Sequence, residues 1–211
     1  RDWELHPTIL SGDLNGDDGE DFANYEDNSY HVIIATDVNR LAKLDGFIIT
    51  GGNANGAISE STSNGAGMYS FRSSPRLNNL VFTGNSSING CGGLYNDQSS
   101  PVLINVTFSA NRSVYQSPGG MANFNQSNPT LTDAIFTNNE GGAMLNDDSS
   151  PILTKVTFNE NWSESSCGGM NNRNNSHPKL TDVLFSGNFA DINGGGMCNF
   201  GSSPELNNVS F

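Results

Sequence analysis

A single phrase recurs six times along the chain. Counted from Pro75, Pro101, Pro129, Pro151, Pro178 and Pro204, Leu always stands two residues on (Leu77, Leu103, Leu131, Leu153, Leu180, Leu206). A small or branched apolar residue comes five on (Leu80, Val106, Ala134, Val156, Val183, Val209), and Phe seven on (Phe82, Phe108, Phe136, Phe158, Phe185, Phe211). Asn follows at ten (Asn85, Asn111, Asn139, Asn161, Asn188). Upstream of each proline an apolar residue (Met68, Leu94, Met121, Met144, Met170, Met197) follows a small pair, with Ser70, Asn96, Asn123, Asn146, Asn172 or Asn199 two residues later. The prolines are 26, 28, 22, 27 and 26 residues apart, a period that belongs to solenoids.

The pattern within each repeat selects the kind of solenoid. Met and the Asn two residues later share one face of a strand, the inward one. The small pair lets backbones pass closely at a corner, and Ser-Ser-Pro and its variants make a bend. The Leu-x-x-Val-x-Phe segment changes phase once, which requires a third corner. Three strands and three corners make one coil. Coils of 22 or more residues exceed the roughly 18 of a left-handed hexapeptide helix, and no sustained 3.6 period supports a helical repeat. The expected fold is all-β: a right-handed parallel β-helix of about six to eight coils of 22–28 residues. Stacked Phe and Met fill it, and the Asn columns are structural, each amide bonding to the backbone of the turn and to the Asn above it.

The whole chain of 211 residues reads as one domain. Residues 1–43 are the less regular cap and first coil, with strands around Thr8–Gly12 and His31–Ala35; residues 44–211 are the regular coils. The segment 44–53 is a degenerate repeat in which Leu44, Phe47 and Ile49 match the Leu, apolar and Phe columns. The last residue, Phe211, is a core position of an unfinished coil. That predicts either continuation of the protein or end-to-end self-association, since exposed coil edges are avoided.

Charge narrows the partners. A formal net charge of −13, with no basic stripe, argues against nucleic acid. No apolar run approaches the roughly 20 residues of a membrane-spanning helix. Cys91 and Cys167 share a repeat position but lie three coils apart, about 14 Å at ~4.8 Å per strand. Cys198 is four residues further along its own repeat. Register arithmetic therefore predicts three free thiols.

The paired signals Gly-Gly-x-apolar and Phe-x-x-Asn (Phe82–Asn85, Phe108–Asn111, Phe136–Asn139, Phe158–Asn161, Phe185–Asn188) resemble the polymorphic outer membrane protein repeats. They also resemble the wider pectate-lyase-like β-helix surface proteins of bacteria. The resemblance covers about residues 44–211. It implies an extracellular or cell-surface stalk or adhesin, and leaves the ligand open because such repeats serve different ones.

Three sites carry chemistry. Insertions in a solenoid collect on one edge; here that edge holds 86–91, 112–118, only 140–141, then 162–167 and 189–194. The short corner at Glu140 predicts a notch with Arg112, Tyr115 and Gln116 on one wall and Trp162 and Glu164 on the other. Such walls suit a sugar ring or a peptide. Asp13, Asn15, Asp17 and Asp21 occupy positions one, three, five and nine of a calcium-loop pattern and predict a structural Ca²⁺. The pattern departs from the full loop at Asp18 and Asn24. Asp133, Lys155 and Asp182, four after their prolines and facing outward, are the constellation an enzyme acting on acidic polysaccharide would use. A surface ion-pair ladder explains them better, as it does Lys179 with Glu205. His6, His31 and His177 lack catalytic partners. The expectation is a structural or adhesive module rather than an enzyme, with a polysaccharide lyase or hydrolase as the alternative.

Overall fold

A computed structural model describes residues 3, 5–58, 60–115, 117–165 and 167–211. The chain winds into a right-handed parallel β-helix. Eight strands stack as one long sheet: Thr8–Ser11, Lys43–Thr50, Arg76–Thr83, Val102–Ser109, Thr130–Thr137, Ile152–Asn159, Lys179–Ser186 and Glu205–Ser210. Seven four-residue strands, Ile33–Thr36 to Met197–Phe200, form a second sheet. Two-residue strands along a third edge complete most turns, and at Glu140 a single bridging residue takes their place.

Register follows the repeat. Leu103 pairs with Leu131 and Phe108 with Phe136, and Leu44, Phe47 and Ile49 pair with Leu77, Leu80 and Phe82. The phase change inside each long strand sits four residues after the proline. Asn79, Asn105, Asp133, Lys155, Asp182 and Asn208 have φ between 49° and 55° there. Asn and Asp tolerate this left-handed conformation; Lys does so less well.

Inside, Phe82, Phe108, Phe136, Phe158, Phe185 and Phe211 form one stack with ring centroids 4.7–4.9 Å apart. Four of them are fully buried, each contributing roughly 1.5–3 kcal/mol. The Asn column beside them satisfies itself. Asn111 Nδ2 donates to Asn139 Oδ1 at 3.1 Å and to Phe82 O at 2.9 Å, while its backbone N–H donates to the same Asn139 Oδ1 at 3.2 Å. Asn85, Asn139 and Asn161 repeat the scheme, and Asn188 donates back to Phe158 O. A second column runs Asn96, Asn123, Asn146, Asn172, Asn199 at 2.8–2.9 Å. It stops at Ser70, too short to continue it, and leaves Ser70 Oγ and Asn96 Oδ1 buried without partners.

The bend carries two more ladders that its reading as a turn did not foresee. The N–H groups of Ser73, Ser99, Ser127, Ser149 and Ser176 each donate to the serine hydroxyl of the next coil. One residue on, the N–H groups of Asn128, Ser150 and His177 donate to the side chain of the coil before. His177 belongs to this second ladder, accepting Ser203 N–H at Nδ1.

The prediction of three free thiols fails: Cys167 and Cys198 form a disulfide, with Cα atoms 5.6 Å apart. The arithmetic assumed that residues before the small pair follow the coil. Instead the corner loops fold back over the outer face of the four-residue strands. That face is why outward-pointing Ala122 and Leu145 are buried. Cys167, at φ 69°, lies over this face and meets Cys198, whose neighbour in register is Asn171. Cys91 remains free and buried, and burial pushes its thiol up to about 12.

Candidate functional site

The third edge is where coils differ. Asn53–Ala54, Ser86–Ser87 and Arg112–Ser113 pair on one side of the short corner; Trp162–Ser163 and Phe189–Ala190 pair on the other. Between them Glu140 alone bridges Arg112 and Trp162. The chain turns inward at once through Gly141 and Gly142, at φ 94° and 104°. A Cβ on Gly141 would collide with Ser117 O, so only glycine closes the corner this tightly.

The missing loop leaves a cleft of about 470 Å³. All five predicted residues within the described chain line it: Arg112, Tyr115, Glu140, Trp162 and Glu164. Gln116 lies outside the described residues. Val114 and Ile192 also contribute; the segment holding Ile192 was visible as a variable loop, but its reach to the notch was not. Tyr115 and Ile192 are 57% and 69% exposed, so apolar surface is presented rather than folded away.

The charges in the cleft offset one another. Arg112 Nε lies 3.4 Å from Glu140 Oε1. Its geometry is that of an ion pair without an aligned hydrogen bond, since Nε is buried with no hydrogen-bond partner. The Arg112 guanidinium also sits 5.6 Å from the Phe22 ring centroid, so the N-terminal loop reaches the rim of the cleft.

Asp133, Lys155 and Asp182 are exposed on the outside of the long sheet, and no ion pair joins them among the described residues. The neighbouring pair does form, with Lys179 Nζ 3.0 Å from Glu205. The His31 ring lies tilted against Tyr69 (ring centroids 5.5 Å) and meets Gly65 O through Nδ1 at 3.0 Å. Burial lowers its pKa.

In the acidic loop the carboxylates that converge are Asp13, Asp17 and Asp27, with one oxygen of each within 4.8 Å of the others. Asp21 is not among them; it sits in a short 3-10 turn at φ 54°. Asn15 is exposed. Asp13 Oδ1 accepts the Gly16 N–H at 2.6 Å. Asp18 packs against the group, its pKa raised by burial and by Asp13, Asp27 and Asp17, against the lowering pull of Asn28. Tyr25 ties this loop to the coils through Gly84 O at 2.9 Å.

Comparison with known proteins finds no matching family model, no matching curated protein and no matching solved structure. Among the described residues, no helix is long and apolar enough to cross a membrane.

Proposed function

We propose that the chain is a rigid extracellular β-helix module, part of a cell-surface protein or fibre, that binds a glycan in the cleft at its shortened corner. One observation carries this reading: Tyr115 and Trp162 line the two sides of a cleft with Glu140 between them. Aromatic faces stack on sugar rings, and convergent polar groups fix their orientation. The Cys167–Cys198 disulfide supports an oxidising, extracellular setting, in keeping with the resemblance to bacterial surface repeats. Charge favours a neutral or amino sugar. The net charge of −13 repels a polyanion, and Glu140 already neutralises Arg112. This weighs against the alternative of a lyase or hydrolase acting on acidic polysaccharide.

The test is binding to an array of neutral, amino and acidic glycans, with surface proteins as a second panel. The module should retain neutral or amino glycans, and Trp162→Ala or Tyr115→Ala should weaken retention at least tenfold at unchanged melting temperature. Retention only of proteins, or glycan retention indifferent to both substitutions, would sink the reading. Glu140 and Glu164 both line the cleft, so glycan cleavage abolished by Glu140→Gln or Glu164→Gln would instead make the module a hydrolase.

A further inference from the structure

The acidic loop holds more than a cluster of like charges. Asp13, Asp17 and Asp27 place three carboxylate oxygens within 4.8 Å of one another, and no basic side chain pairs with them among the described residues. Such a group is repulsive by itself. Two oxygens beside it are buried and lack partners: Asp27 Oδ2 and Asn28 Oδ1. Asn28 is only 7% exposed. Its Nδ2 donates to both carboxylate oxygens of Asp18 at 3.1 and 3.0 Å, so the amide is held at the edge of the cluster through its nitrogen while its oxygen is left without a partner. A buried amide oxygen without a partner is unfavourable, and a cation beside it would remove that cost.

We propose that Asp13, Asp17 and Asp27, with the Asn28 amide oxygen, hold a calcium ion that clamps the N-terminal loop to the first coils. The donors are all hard oxygens from carboxylates and an amide. They lie on an irregular loop, which suits the flexible coordination of Ca²⁺ better than the strict octahedron of Mg²⁺. The clamp follows from the neighbours. The Asn53 amide donates to Tyr25 O at 2.6 Å, and Ser29 N–H donates to Gly12 O at 2.9 Å. Asp13 and Asp27 therefore lie next to the contacts that hold the loop down. The site differs from the linear reading of the sequence in two ligands, with Asp27 and the Asn28 amide oxygen in place of Asn15 and Asp21.

Titration calorimetry with calcium chloride on the whole chain, with magnesium chloride in parallel and melting curves in calcium or chelator, tests this. Expected are one saturable calcium site, a higher melting temperature in calcium, and at least tenfold weaker binding in Asp17→Asn and Asp27→Asn. Asp21→Asn should bind as the parent does. Asp17 is exposed, so its variant should fold even if the Asp27 variant does not. Absence of saturable calcium binding, magnesium binding as tight as calcium, or affinity lost in Asp21→Asn but kept in Asp17→Asn would overturn the assignment.

Discussion

The two halves of the helix on either side of Glu140 share one core but are locked differently on the outside. In the N-terminal half, loop residue Gly65 packs against Tyr69 and Tyr95, Tyr69, Tyr95 and Phe124 stack at 5.2–5.8 Å, and His31 lies tilted against Tyr69. In the C-terminal half the corresponding cover is the Cys167–Cys198 disulfide. Cys91 occupies the same place before a Gly-Gly pair as Cys167, and Ala122 the same place after the next strand's first residue as Cys198. Both pairs are 31 residues apart. The repeat thus sets up the same pair of positions in two coils, and the residues standing there decide whether the lock is a covalent bond or packing.

The largest expected effect comes from removing the covalent lock. Cys167→Ala with Cys198→Ala should cost roughly 3–4 kcal/mol in chemical denaturation, the loop-entropy value for a 31-residue closure. Hydrogen exchange should show the loss confined to the C-terminal coils, because solenoid coils contact only their neighbours. Uniform loss along the chain would mean that the halves are not separately locked. A smaller effect is expected from building the missing lock. Ala122→Cys should bond to Cys91 under oxidising conditions and raise stability by up to about 3 kcal/mol. Thiol titration decides it. Two free thiols would show that the left-handed turn at Cys167, which Cys91 lacks, selects the pair rather than the register.

This contrast also marks what the sequence could reveal. The Phe stack and both Asn columns were legible because every coil spells them out, and a column that recurs in register can only stack. The notch was legible for the opposite reason: one coil is shorter than its neighbours at a single corner. The serine ladder escaped because Ser-Ser-Pro already explained itself as a bend, which hid the hydroxyl's second task. The disulfide and Asp27 escaped for a common reason. Both depend on irregular backbone, at Cys167 and through the left-handed residues Asp21, Phe22 and Asn24. Such segments fold back on the coil, and counting along the chain cannot see them.

The proposed cleft exists because the corner at Glu140 is short, and the direct test is to lengthen it. Inserting four small polar residues between Glu140 and Gly141 brings that corner to six, the length at 86–91. Surface loops accept such insertions for about 1 kcal/mol of closure entropy. Glycan binding of the insertion variant, measured beside the parent on the same array, should vanish while the melting temperature stays within a few degrees. Undiminished binding in a folded insertion variant would contradict the account and move the ligand elsewhere on the helix.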